Sequence, residues 1–284
     1  MNVVVISRSS ALSTALQSQF ASRSRASIAL PVDDLHALGV DQLRGAMVVD
    51  ADALVFLQRK DSHAAAEQQR LLALRQDFKA RCDALAVPYL LLSDGRLFGA
   101  AAEEVEYAEG DELAPTDAAG FQLAELEQVL CAAGEQGMVL RTGPLIAVQG
   151  GNFLGDCLAT MRGGKVLRLN DTRMTCPTPV ADLARVISGL VDQISCGTPC
   201  RGVYHYASSG TASAYEFAEV VCAFASQFVA PIADIEVDDS GEGWRPAVPV
   251  LSCDRILQDF GIKRLPWRAY LPRMIKSVCE EAAK

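Results

Sequence analysis

Asn2-Val3-Val4-Val5-Ile6-Ser7-Arg8-Ser9-Ser10-Ala11-Leu12-Ser13-Thr14-Ala15-Leu16-Gln17-Ser18-Gln19-Phe20 is the stretch on which the fold of this chain turns. Val3 to Ile6 form a short apolar run, and Leu12, Leu16 and Phe20 then recur at the spacing of one helical face. Strand, tight turn and helix in such quick succession open a parallel α/β sheet. Working outward, Ser27 to Leu30 reads as a second strand stopped by Pro31. Val40 to Val49 reads as a short helix and Ala53 to Leu57 as a buried strand. The alanine-rich, charged stretch from Ala64 to Leu85 suits a surface helix. It hands over to Pro88-Tyr89-Leu90-Leu91-Leu92, an apolar run fit for a central parallel strand covered on both faces. This alternation predicts a doubly wound parallel sheet.

An acidic, loop-like stretch from Glu103 to Asp117 precedes a helix marked by Leu123, Leu126 and Leu130 and a strand at Met138-Val139-Leu140-Arg141-Thr142. The first lobe is expected over residues 1–145 and a smaller α+β lobe over 146–284, with helices at Tyr215 to Phe228 and Tyr270 to Glu281. The two are expected to pack tightly, with the chain crossing between them, and the cleft between lobes is the default ligand site.

The chain has 284 residues, 50% of them hydrophobic, enough for a substantial core. A net charge of -9 argues against a nucleic-acid partner, whose phosphates call for Lys and Arg. The nine cysteines are odd in number and lack framework spacing, so reduced and mostly buried thiols are expected. Cys196 and Cys200 have no second Cys or His pair at matching spacing, so no metal site is expected. No basic leader segment opens the sequence and no apolar run approaches the ~20 residues that span a bilayer. A cytoplasmic protein without membrane contact is expected.

Several short stretches, in order, resemble the dTDP-4-dehydrorhamnose reductases, extended members of the short-chain dehydrogenase/reductase superfamily. They are Leu92-Ser93-Asp94, Leu140-Arg141-Thr142, Gly150-Gly151-Asn152-Phe153, Pro177-Thr178 with Asp182-Leu183-Ala184, Gly202-Val203-Tyr204-His205, Tyr215-Glu216-Phe217-Ala218 and Arg245-Pro246. The resemblance implies an α/β fold with a Rossmann-like doubly wound sheet and a smaller substrate-type lobe. It further implies an NAD(P)H-dependent reductase of a nucleotide-linked keto sugar, with NADP or NAD as cofactor.

The residues that such chemistry needs are then missing one by one. The family's phosphate turn, Gly-x-x-Gly-x-x-Gly, lets backbone approach pyrophosphate at a helix N-terminus. Here Ser7, Ser10 and Ser13 stand at those positions, with Leu12 between. At the end of the second strand Pro31 and Val32 replace a ribose-reading side chain, although Asp33 and Asp34 follow. The family's alanine run falls at about Leu57, Gln58 and Arg59, all bulky. The family's catalytic Tyr and Lys align with Ala119 and Leu123, a register supported by Pro115, Gly120 and Glu127. Neither can donate a proton. Ser93 survives at the Ser/Thr position, while Pro144 and Ile146 replace an aromatic pair of the sugar pocket.

Weighed against plain structural roles, the three serines read first as turn and cap residues and only second as a remnant phosphate cradle. Ser93 and Asp94, at a strand's carboxyl end, are candidates for lining a ligand cleft; a loop-capping role competes. Asn152 and Arg245 are further substrate-side candidates, Arg245 because a guanidinium suits diphosphate. Arg141 reads as half of a structural ion pair and His205 as a hydrogen-bonded structural histidine. The leading expectation is a degenerate reductase homologue that serves as a binding or regulatory module for a protein partner or small nucleotide ligand. The alternative is an active reductase whose proton donor is Tyr107 or Tyr89. A different reaction using Ser93 and Asp94 has no evident His to activate the serine. A homodimer is expected only on general grounds.

Overall fold

The computed structural model describes residues 1–8, 10–52, 65–99, 105–131, 136–149, 151–228, 234–238 and 248–281. In chain order the elements among them are β1 (Asn2–Ile6), α1 (Ala11–Ser22), β2 (Ser27–Leu30), α2 (Val40–Leu43), β3 (Ala46–Asp50), α3 (Ala65–Ala84), β4 (Tyr89–Asp94) and β5 (Glu106–Tyr107). There follow α4 (Ala118–Cys131), β6 (Gly137–Thr142), β7 (Leu145–Ile146), α5 (Phe153–Arg162), β8 (Leu167–Leu169), β9 (Thr178–Pro179) and α6 (Val180–Ser195). The last are β10 (Gly202–Tyr206), α7 (Ala214–Ala225), β11 (Ile235–Val237), β12 (Val250–Leu251), α8 (Asp254–Phe260) and α9 (Leu271–Glu281).

Six strands form one parallel sheet in the order β10-β6-β4-β3-β1-β2. Every residue of β3, β4 and β6 is buried, as expected where helices cover both faces. On one face Val3, Val5, Leu90, Leu92 and Leu140 meet Leu12, Leu16 and Phe20 of α1 and Leu183, Ile187 and Leu190 of α6. On the other, Val4, Ile6, Leu91 and Val139 meet Leu71 and Phe78 of α3 and Leu123, Leu126 and Leu130 of α4. Each such side chain contributes roughly 1.5–3 kcal/mol by leaving water. A third cluster, with Leu154, Leu158, Phe217, Trp267, Leu271 and Ile275, joins α5, α7 and α9. Helix α6 packs on α1, and β10 completes the large sheet at its edge.

The strand order reverses between β1 and β3, and in open parallel sheets the crevice at such a reversal, at the carboxyl ends, is where ligands bind. Placing β3 corrects the sequence reading of Val40 to Val49 as one helix. The helix stops at Leu43, Gly45 takes a positive φ of 70° that a side chain would resist, and the β-prone run Ala46-Met47-Val48-Val49 becomes the strand. The strand expected at Ala53 to Leu57 lies outside the described residues; the one between β1 and β4 is Ala46–Asp50. The described segment after it is Ala51 and Asp52, and Leu57, Gln58 and Arg59 lie outside the described residues. Helix α3 is also less superficial than its composition suggests, because Leu71, Arg75, Phe78, Lys79 and Cys82 are buried. The acidic stretch is partly structural: Glu109 Oε1 accepts from the backbone N–H of His205 at 3.0 Å and so covers the edge strand β10.

Candidate functional site

The turn from β1 to α1 is built from serines that bond to one another. Ser10 is the N-cap of α1, its Oγ accepting from Ser13 N at 3.1 Å and lying 3.3 Å from Ser7 Oγ. Ser7 Oγ also donates to the carbonyl of Arg8 at 3.1 Å. Ser7, Leu12 and Ser13 are buried. Across the strand reversal, the backbone N–H of Arg8 donates to Asp52 Oδ1 at 3.1 Å. Asp52 Oδ2 accepts from Arg75 Nη2 at 3.1 Å, Arg75 Nε donates to Asp50 Oδ2 at 2.9 Å, and Tyr89 Oη donates to the same oxygen at 2.8 Å. Asp50, Asp52, Arg75 and Tyr89 are all buried. Asp33, in the helical turn Val32–Ala37 just after β2, is held by Arg8 at 3.2 Å and Arg70 at 2.6 Å.

A dinucleotide does not fit these residues. Its pyrophosphate would have to approach a turn carrying serine Cβ atoms where glycines would leave room. It would also meet the Asp52 carboxylate already bonded to the turn's backbone. The sequence reading missed Asp50, Asp52 and Arg75; the signal was the Asp50-Ala51-Asp52 run, visible only once β3 is placed.

The second part of the site is the carboxyl end of β4. Ser93 is buried and its Oγ has no hydrogen-bond partner among the described residues, as is true of Thr142 Oγ1 on the neighbouring strand. Asp94 caps the turn that follows, accepting from Arg96 N at 3.0 Å and from Arg96 Nε at 2.8 Å. Helix α4 starts against that turn: a Cβ at Gly120 would lie 2.9 Å from Pro115 Cβ and 3.3 Å from the Arg96 carbonyl. This crowding accounts for the glycine and places Ala119 in the first helical turn beside the segment after Ser93. One turn on, Leu123 is fully buried in the apolar cluster with Leu97 and Leu126. Neither position offers a proton donor. Tyr89 is sealed in the core, where burial and then the adjacent Asp50 raise its phenol well above the usual range. Tyr107 stacks on Phe98 with centroids 4.6 Å apart.

Other candidates hold the scaffold. Arg141 forms a buried fork with Glu127, with contacts of 2.8 to 3.2 Å. His205 is buried, and burial first, then the Arg141 charge, push its pKa down to about 4. Its Nδ1 faces the carbonyl of Tyr107 at 3.2 Å and so carries the proton; Nε2 then accepts from Arg141 Nη1 at 3.4 Å. Asn152, the N-cap of α5, closes a loop through both backbone groups of Ala147 at 3.0 and 3.3 Å. Asp182 is fully buried and accepts from Tyr206 and Ser208 at 2.6 Å, Arg185 Nε at 2.9 Å and Tyr270 at 3.1 Å. Arg245 lies outside the described residues. Among those described, no group of three or more His, Cys, Asp or Glu could hold a metal, and no helix is long and apolar enough to cross a membrane. Cys82, Cys157, Cys176, Cys200 and Cys253 are buried free thiols, Cys222 and Cys279 are part-buried ones, and the free thiol of Cys196 is exposed.

Comparison with known proteins adds the following. A family model described as the RmlD substrate binding domain matches residues 1–280. A dTDP-4-dehydrorhamnose reductase of Sinorhizobium fredii is 26% identical over 197 residues, 67% of this chain and 66% of that one. The match thus spans just under two thirds of that relative's length. The structure of dTDP-4-dehydrorhamnose reductase from Bacillus anthracis in complex with NADP superposes with a TM-score of 0.80 at 17% identity, covering 97% of this chain and 99% of that one. MoeE5 in complex with UDP-glucose and NAD superposes with a TM-score of 0.73 at 15% identity, covering 99% and 100%. Likeness at these identities establishes the fold.

Proposed function

The chain belongs to the RmlD substrate binding domain family, and from that premise we propose that it is a binding or regulatory module with a residual nucleotide or nucleotide-sugar site, without reductase activity. The family is one of nucleotide-sugar-related reductases. The observation that carries the reading is the state of α4 beside Ser93. Ala119 has no polar atom, and the Leu123 side chain is packed into the core, so no group there passes a proton to a carbonyl held by Ser93. The residual-ligand part rests on Ser93 Oγ and Thr142 Oγ1. Buried hydroxyls without partners are uncommon in folded proteins and suit a place where a ligand or water completes the bonding.

The test is NADPH oxidation by the purified full chain with a dTDP-4-keto sugar, alongside calorimetric titration with dTDP-sugars. The expected result is no turnover above the protein-free rate. Enzyme-dependent, saturable NADPH consumption would overturn the proposal.

A further inference from the structure

Resting on that reading, we infer that Asp52 is the residue that excludes diphosphate-bearing nucleotides from the crevice at the strand reversal, by placing the protein's own carboxylate there. Asp52 follows β3 by two residues, on the far side of the β1/β3 reversal from the β1–α1 turn, and its Oδ1 accepts the Arg8 backbone N–H at 3.1 Å. The crevice where an anionic ligand of this fold class would lie is therefore spanned by an internal anion.

Charge points the same way. Arg75 is shared between Asp50 and Asp52, so two carboxylates face one guanidinium in a region shut off from water. The set keeps a net negative charge, and a low-dielectric setting strengthens its repulsion of a second anion. The nearby Arg8 side chain offers little compensation, because Asp33 engages it at 3.2 Å. Geometry makes the arrangement stable. Arg75 reaches in from α3 and fixes the carboxylate at Oδ2, Tyr89 braces Asp50, and the Asp52 backbone N–H donates to Asp50 Oδ1 at 3.3 Å. Asp52 thus has one oxygen for the helix behind it and one for the turn in front.

The experiment is calorimetric titration of the full chain with ADP, the diphosphate-bearing fragment of the dinucleotide, for wild type, Asp52→Asn and Asp52→Ala. Asp52→Asn removes the charge while keeping the side chain's shape, so it preserves a readable variant if Asp52→Ala fails to fold; thermal unfolding checks both. The expected result is ADP affinity at least tenfold tighter in a folded variant than in wild type, with an enhancement that shrinks as salt is raised. Equal affinities in wild type and variants, or wild-type binding as tight as theirs, would overturn the assignment. Because ADP binding is read without hydride transfer, failure here is separate from failure of the proposed function, which only wild-type turnover decides.

Discussion

The carboxyl ends of β1 and β3 differ sharply from the Asp182 cluster where α6, β10 and α9 meet. At the first, polar side chains bond to their immediate surroundings along the turn: Ser10 to Ser13, Ser7 to Arg8, Asp52 to Arg8 and Arg75. At the second, one buried carboxylate, Asp182, ties four side chains together.

Asp182→Ala is the substitution expected to have the largest effect. It leaves the hydroxyls of Tyr206 and Ser208 buried without their acceptor and Arg185 without its partner. Unsatisfied buried donors cost about 1–3 kcal/mol each, so a loss of at least about 4 kcal/mol is expected from urea unfolding. A loss under about 1 kcal/mol would break the contrast, since the Asp182 cluster would then carry no structural load.

The next effect reads the same scaffold through pH. His205 is held neutral, with its pKa lowered to about 4 from an ordinary value of 6.5. Between those values the unfolded chain takes up a proton that the folded chain refuses, so stability falls as pH falls through the window and is fully present above it. At ~1.4 kcal/mol per unit, the step from pH 7 to pH 5 should cost wild type about 2 kcal/mol more than His205→Asn. Equal pH dependence in the two proteins, measured by urea unfolding, would show that His205 titrates normally.

The sheet was legible because its signals are local and redundant: Val3 to Ile6, Tyr89 to Leu92 and Met138 to Leu140 are apolar runs that could only be buried strands. Arg141 was legible as half of an ion pair, while its partner, Glu127, emerges only from the packing of α4 against β6. The Asp50–Asp52–Arg75 network was not. Arg75 stands more than twenty residues from Asp50 and Asp52, and it meets them only through the packing of α3 against the end of β3. Reading Val40 to Val49 as one helix hid β3, and with it the identity of the residues at its carboxyl end; the positive φ at Gly45 is what separates the two elements. Ser93 was legible as a residue but not as a buried hydroxyl lacking a partner, a property that no sequence pattern encodes.

The smallest predicted effect bears most directly on what the serines now do. If Ser10 is an ordinary helix cap, Ser10→Ala should cost about 1 kcal/mol by removing the acceptor for Ser13 N, whereas Ser10→Gly should cost only a few tenths, because glycine suits the N-cap backbone. A turn kept for close approach of phosphate would behave differently: the stabilities of the two variants would be alike, and Ser10→Gly would gain affinity for ADP without any change at position 52. Urea unfolding of both variants separates these cases. The cap pattern would mean that the turn has been rebuilt for the helix it starts, and that restoring a glycine cannot by itself reopen a crevice that the Asp52 carboxylate still spans.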